Sequence, residues 1–452
     1  MAFIGLIEKG FSLIAILLLG IMSTTIRAMA IMALSAFVVI LAPLSFADTP
    51  SLEWSYHVTS YITSSPIYDN GYVYFCTADG TVYSLNAVYY NPEAVFAPQW
   101  TYEVPSSIMA TPALDSGVLY FGTDDGTFYA IGSQRATLLW KYKVTLSSDS
   151  TPLVLDGNVI FGSDDGVIHS LSTANGNESW NYSTGSGIST QLLGYDSSIY
   201  VATAGGSIIS LEPIMGQALW STSIGQRAFS PLGYDNNIYA GTYDGNVVAL
   251  DAMTGRTLWT FATRGPVTSR PAADNGTIYV GSSDGYLYAL NASNGNLLWK
   301  FPAGGPIKAA PLIDNGVIYV GSGNKALYAI DAANGLPYWT FTADSAVYST
   351  PVIMNSQLYF SSYGSNGTGG TLYDLLLPNN LTLSAQAIVT PTAIPSATAP
   401  APTATVNTAA STNPTQGPSA SSGTGSWCPL PGLATVMIAS IGIFSLRKKQ
   451  GK

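Results

Sequence analysis

An all-β fold assembled from eight copies of one four-stranded unit is predicted by three observations. The first is a comb of tryptophans. Trp54, Trp100, Trp140, Trp180, Trp220, Trp259, Trp299 and Trp339 stand 46, 40, 40, 40, 39, 40 and 40 residues apart. The second is an independent anchor of the same period. Pro66, Pro112, Pro152, Gln191 in place of proline, Pro231, Pro271, Pro311 and Pro351 are spaced 46, 40, 39, 40, 40, 40 and 40. The third lies inside each period, where short alternating runs are separated by Asp-Gly or Asn-Gly. Alternation of period two marks strands with one packed face, and those dipeptides favour tight hairpins. Four strands in about 40 residues is the period of a propeller blade. A lone blade cannot bury both faces, so the copies must stack around an axis. The predicted fold is an eight-bladed β-propeller of four-stranded antiparallel blades.

The chain opens with two apolar runs, Phe11–Met22 and Ala28–Ala47. The second follows Arg27 and ends Ser45-Phe46-Ala47, the flanks of a secretory signal peptide over residues 1–47. An uncleaved membrane anchor is the other reading of this run. The propeller is expected over 48–378. Within each copy, strand A carries the proline, as in Ser349–Ile353; strand B is the Ile318–Val320 type; strand C is the Leu287–Leu290 type. Strand D holds the tryptophan and usually an aromatic two residues on, as in Trp54/Tyr56, Trp140/Tyr142, Trp259/Phe261 and Trp299/Phe301. The six extra residues of the first interval fall between Leu85 and Trp100.

The order of parts predicts how the ring closes. The repeats begin with a D strand at Trp54 and end with a C strand at Thr371–Leu377. Trp54–Val58 is therefore expected to pair outside that last strand, which removes an open edge.

After Pro378 the repeat stops. Residues 379–427 are rich in Thr, Ala, Pro and Ser and read as an extended, O-glycosylated stalk. Residues 428–452 hold an apolar run, Leu433–Leu446, followed by Arg447-Lys448-Lys449, read as an anchor or sorting signal that meets the membrane through residues 430–446. Asn177, Asn181, Asn275, Asn291, Asn366 and Asn380 begin Asn-x-Ser/Thr sequons, which suits an exported chain.

Charge and composition exclude several functions. Between Asp48 and Asp374 there are ten Lys and Arg against twenty-five Asp and Glu, which argues against nucleic acid as a partner. The two cysteines, Cys76 and Cys428, lie in unrelated regions, so no disulfide framework is expected. Cys76 stands where other copies have Gly122, Gly162, Gly241, Gly281 and Gly321, a small buried slot. His169 stands in a strand C slot held elsewhere by Tyr83, Tyr129, Tyr288, Tyr328 and Tyr373 and reads as a packing residue. His57 lies in the closing strand. No Ser-His-Asp set or His/Cys metal spacing can be nominated.

Between strands C and D the wording is specific. Asp251-Ala252-Met253-Thr254-Gly255-Arg256-Thr257-Leu258-Trp259 resembles the repeat of pyrroloquinoline-quinone-type propellers, as do Asn291–Trp299, Asp331–Trp339 and, less fully, Ser172–Trp180. The resemblance covers about residues 50–377. It implies that the eight tryptophans dock between blades, each against the neighbouring turn. The family includes quinone-dependent alcohol and glucose dehydrogenases and non-enzymatic scaffolds of the BamB type. The enzymes imply a quinone at the axis over a tryptophan floor, adjacent cysteines, a calcium ion and a catalytic Asp. Here Cys76 and Cys428 are not adjacent, all eight propeller tryptophans occupy docking slots, and no large insertion caps the ring. Asp124-Asp125-Gly126 and Asp164-Asp165-Gly166 could hold calcium, but they fill the B–C turn position that Asp79, Asp244 and Asp284 fill elsewhere.

No catalytic residue and no cofactor is therefore expected. The alternative is a quinone- and calcium-dependent dehydrogenase, or a degenerate relative of one. The expected function is that of an exported cell-surface scaffold that binds protein or glycan. Its contact residues are sought where the copies disagree. Three positions before the proline anchor stand Thr63, Met109, Asp149, Ile188, Ala228, Thr268, Lys308 and Tyr348. Arg227, Arg264, Arg270 and Lys308 fall at three consecutive D–A junctions, predicting a positive patch able to take an acidic peptide or sugar. Asp149, Arg227, Arg270, Lys308 and Tyr348 are the candidate partner-binding residues.

Overall fold

A computed structural model describes residues 49–87, 97–365 and 368–378. The expected signal peptide, stalk and C-terminal anchor lie outside the described residues. Among the described residues no helix is long and apolar enough to cross a membrane.

Eight four-stranded antiparallel sheets form the ring. Blade 6 is representative: strand A is Ala272–Asp274, B is Thr277–Gly281, C is Tyr286–Asn291 and D is Leu297–Pro302. Its A–B turn is Asn275-Gly276, both residues with positive φ (46° and 75°), the geometry of a type I′ hairpin. Strand B carries Ile278, Tyr279 and Val280, all buried, because blades stack on both of its faces. The core is accordingly divided into seams. The cluster between blades 5 and 6, for example, joins Tyr239, Val247 and Ala249 to Ile278, Val280 and Leu290.

Closure follows the sequence expectation. Strand D of blade 8 is Ser51–His57, which pairs with strand C, Gly369–Leu376, in the register Trp54↔Asp374 and Tyr56↔Leu372. Blade 8 thus takes its outer strand from the start of the chain. The Thr350 amide adds a contact across the same junction by donating to Ser65 Oγ at 2.9 Å.

Two sequence expectations are corrected. The proline does not lie within strand A. Each strand A starts one residue after it, as at Ala272 after Pro271 and Val352 after Pro351. Lacking an N–H, proline suits the position just before the ladder begins. The fourth proline slot is also displaced. Strand A of blade 4 starts at Leu193, so Leu192, not Gln191, occupies that slot. Ile188 then falls in a fully buried seam position shared with Ile108, Val267, Ile307 and Val347, and Ser189 takes the place three before the anchor. The one-residue deletion moves to the D–A loop before blade 5, where Ala228 fills the seam position and Phe229 follows.

A feature the periodicity did not reveal is a β-bulge one residue before most of the tryptophans. In blade 6 Ala289 pairs with Trp299 and Leu290 with Leu297, leaving Leu298 as the extra residue. The same shift recurs in blades 2, 3, 4, 5, 7 and 8. A bulge re-aims the side chain that follows it. Here the tryptophan turns toward the next blade and the preceding leucine stays outside; Leu298 is 51% exposed.

Candidate functional site

The docking tryptophans form the outer ring. The indoles of Trp100, Trp140, Trp180, Trp220, Trp259 and Trp299 donate to the carbonyls of Ser133, Thr173, Pro213, Ala252, Ala292 and Ala332 in the next blade, at 2.8–3.1 Å. Several of these carbonyls accept a second bond from a strand B tyrosine, as Ala292 does from Tyr239 at 3.1 Å. The turn glycine admits the ring: a Cβ on Gly295 would stand 2.6 Å from Trp259. Trp339 is buried, and its indole nitrogen has no hydrogen-bond partner among the described residues. Trp54, in the closing strand, packs on Tyr359 with ring centroids 5.9 Å apart.

The residues just before the proline slot form an inner ring. The Ser65 amide donates to Thr111 Oγ1 at 2.9 Å, and the Gln191 amide to Ser230 Oγ at 3.2 Å. Thr350 Oγ1 donates to the Ala310 carbonyl at 2.8 Å. Arg270 belongs to this ring. Its Nε donates to the Pro231 carbonyl at 3.1 Å and its Nη1 to Gln191 Oε1, two blades away, at 3.4 Å. Burial lowers its pKa to about 10, so it remains a cation at neutral pH. Arg270 is thus built into the axial wall.

Two positions outward, on the face formed by D–A and B–C loops, the copies diverge. Lys308 places its ammonium 4.8 Å from the Tyr348 ring centroid, a cation–π contact between blades 7 and 8. Burial lowers the Lys308 pKa. Arg227 Nη2 donates to Ser189 Oγ at 2.5 Å, and its guanidinium carbon lies 5.8 Å from the Phe229 ring. Arg264 is exposed, and its amide donates to Asp284 Oδ2 at 3.0 Å.

Asp149 lies on blade 3, four blades from Lys308 and hence across the axis from it. Burial raises its pKa to about 7; the nearby Ser147 hydroxyl opposes that, and the nearby carboxylates Asp124 and Asp164 add to it. Burial also raises the pKa of Asp164, against the attraction of Arg227. The mouth of the axis therefore has an acidic sector on blades 2 and 3 and a basic, aromatic sector on blades 7 and 8. Asp149 Oδ1, Arg227 Nε and Thr268 Oγ1 are buried without a hydrogen-bond partner among the described residues. Such atoms are the ones an incoming polar group can satisfy.

Arg270 reaches along the axial wall from blade 6 to Gln191 of blade 4, the six indoles above lie in seams, and no group of three His, Cys, Asp or Glu able to hold a metal ion occurs among the described residues. Calcium requires six to eight oxygen ligands. Cys76 is fully buried in strand B of blade 1, and burial pushes its thiol well above the usual range.

The two histidines do not build a nucleophile. His169 Nδ1 lies 2.8 Å from Glu178 Oε1, and its ring stacks on Phe161 inside a seam. His57 Nδ1 lies 3.0 Å from Thr371 Oγ1, but Thr371 donates to Asp344 Oδ2 at 2.5 Å, as Ser362 does to Oδ1. The order is His, Thr, Asp. A hydroxyl whose proton points at the carboxylate is not activated by the histidine, and among the described residues no carboxylate orients that histidine.

Comparison with known proteins agrees with this architecture. A family model described as "Outer membrane protein assembly factor BamB" matches residues 97–231, 225–309 and 243–375. No curated protein matches the chain. Among solved structures, BamB from Moraxella catarrhalis aligns with a TM-score of 0.62 at 19% identity, over 73% of this chain and 100% of its own. Quinohemoprotein alcohol dehydrogenase from Comamonas testosteroni aligns with a TM-score of 0.59 at 15% identity, over 73% of this chain and 78% of its own. Sqt1 from Saccharomyces cerevisiae aligns with a TM-score of 0.63 at 12% identity, over 74% and 99%. At these identities the likeness is one of fold.

Proposed function

The chain belongs to the family of the outer membrane protein assembly factor BamB, and from that premise we propose that it is a non-catalytic scaffold that captures a protein partner on its D–A/B–C face. One observation carries the reading. Eight copies share the strand order and the tryptophan, yet disagree at the mouth of the axis, where Asp149, Arg227, Lys308 and Tyr348 stand. A regular scaffold that varies at one level presents an asymmetric surface, and function lives in such sites rather than in the fold. Opposite charges on opposite sides of the mouth give a partner a fixed orientation. The apolar N-terminal runs and the segment 430–446 support export and attachment to a membrane, with residues 379–427 as the spacer.

The test is capture of proteins from the native cell envelope by the full chain and by an Arg227→Ala/Lys308→Ala/Tyr348→Ala variant of unchanged thermal midpoint. The proposal expects a specific partner with the wild type and its loss with the variant. Equal capture by both removes this face from the function. Dye-linked alcohol oxidation after addition of pyrroloquinoline quinone and calcium contradicts the non-catalytic reading.

A further inference from the structure

Blade 8 departs from the others at its B–C hairpin. Strand B runs Gln357–Ser365 and strand C Gly369–Leu376, nine and eight residues against five and six in blade 6. The longer hairpin rises beside the D–A loop that enters blade 1 and is tied to it: the Ile62 amide donates to the Tyr363 carbonyl at 3.2 Å and the Gly370 amide to the Ser60 carbonyl at 3.0 Å. This brings three tyrosines into file. Tyr61 stacks on Tyr363 with centroids 5.1 Å apart and planes 22° apart, and Tyr348 meets Tyr363 at 6.2 Å. Lys308 caps the far end on Tyr348.

Beside Tyr61 opens a cleft of about 290 Å³ lined by Thr59, Ser60, Tyr61, Asp79, Ser365 and Gly369. Asp79 is exposed. Its Oδ1 accepts from Thr77 Oγ1 at 2.5 Å and from the Thr81 amide at 3.3 Å, so the turn fixes the carboxylate at the cleft. Ser60 Oγ accepts from the Asp79 amide at 3.2 Å and Ser365 Oγ pairs with Thr368 Oγ1 at 2.6 Å, and each hydroxyl retains further donor or acceptor capacity.

We infer that this corner is a subsite for a neutral oligosaccharide. A pyranose has an apolar face of C–H groups and a rim of hydroxyls. Tyr61, braced by its stack on Tyr363, supplies aromatic surface for the first, and Asp79, Ser60 and Ser365 supply directional polar partners for the second, the mixture expected of a small-ligand site. An anionic ligand is disfavoured by the Asp79 carboxylate, and the nearest cation of the file, Lys308, is engaged on Tyr348. The site rests on residues other than those of the proposed protein-binding sector, Tyr348 excepted, and stands or falls independently of it.

The experiment is isothermal titration of the full chain with maltotriose, cellotriose, chitotriose and mannotriose, with sialyllactose as the anionic probe and a proline-rich peptide as the extended-peptide probe. The inference expects millimolar or tighter binding of at least one neutral trisaccharide. Tyr61→Ala and Asp79→Asn should each weaken it roughly tenfold or more, and Tyr61→Phe, which keeps the ring, should retain it. Unchanged thermal midpoints establish that the variants fold. No binding by any neutral sugar, binding of sialyllactose or the peptide alone, or binding indifferent to Tyr61→Ala would each overturn it.

Discussion

The indole of Trp259 in blade 5 donates to the carbonyl of Ala292 in blade 6 at 2.8 Å, at the turn whose glycine, Gly295, lies against the same indole. This contact, made by the tryptophans of blades 1 to 6, joins each of those blades to the next at its outer edge. Trp259→Phe keeps an aromatic ring but removes the donor and leaves the carbonyl with Tyr239 alone. A loss of about 1–2 kcal/mol is expected, against about 3–5 kcal/mol for Trp259→Ala, read from denaturant midpoints.

Two glycines with the same backbone separate strain from docking. Gly276 (φ 75°) has nothing within 4 Å of a Cβ, whereas Gly295 (φ 72°) would drive a Cβ to 2.6 Å from the Trp259 ring. Both alanine variants carry the left-handed backbone cost of about 1 kcal/mol. Gly295→Ala should lose a further 1–3 kcal/mol or so from overpacking, seen as a lower unfolding midpoint than that of Gly276→Ala. Equal midpoints would mean the ring is not held by this turn.

The strand that receives the closing strand carries a titratable group. Asp374 pairs in register with Trp54 and is fully buried where other blades have Ala249, Ala289 or Ala329. Burial raises its pKa to about 7, the Glu53 charge adds to that, and the Trp54 indole opposes it. The folded state therefore favours the neutral acid. Its stability contribution is full below about pH 4, falls as pH rises toward 7 and is level above that, by at most about 4 kcal/mol. Asp374→Asn, which leaves Gln357 an acceptor, should flatten this slope and be the more stable form at pH 8 in thermal melts.

Cys76 should be silent in the native chain. It is fully buried and its thiol stays protonated at neutral pH. In a Cys428→Ser background, labelling by a thiol-specific disulfide reagent should occur at the rate of unfolding and speed up in denaturant. Immediate labelling would place an opening in blade 1.

Arg270 should behave as a structural residue. Arg270→Met removes the donors to the Pro231 carbonyl and Gln191, with an expected loss of about 1–3 kcal/mol. Partner capture by the folded variant should be unchanged, in contrast to Lys308→Ala.

The parts of the fold that repeat were legible because repetition averages over local noise. The Trp54–Asp374 closure followed from counting strands, since a ring cannot end on an unpaired C strand. Where a single copy deviated, counting failed: Gln191 took the proline slot by number, while the start of strand A assigns that slot to Leu192. The bulge at Leu298 left no trace in the pattern, because inserting one residue before Trp299 changes the aim of a side chain without changing the period. At the mouth of the axis the residue types were visible but not their depth. Arg270 and Lys308 looked alike in sequence, yet one sits in the inner ring and the other two positions outward, a difference of burial set by neighbouring blades. The Tyr61–Tyr363 pair brings together residues from opposite ends of the propeller and needed the closed ring to be seen.

Site-specific photo-crosslinking in native cells tests whether the D–A/B–C face is the one that holds a partner. A crosslinking residue at position 308 reports on the D–A/B–C face, and one at 315, in an A–B turn, reports on the opposite face of the same blade. A discrete crosslinked protein is expected from position 308 and none from 315. A product from 315 alone, or the same products from both, would contradict it.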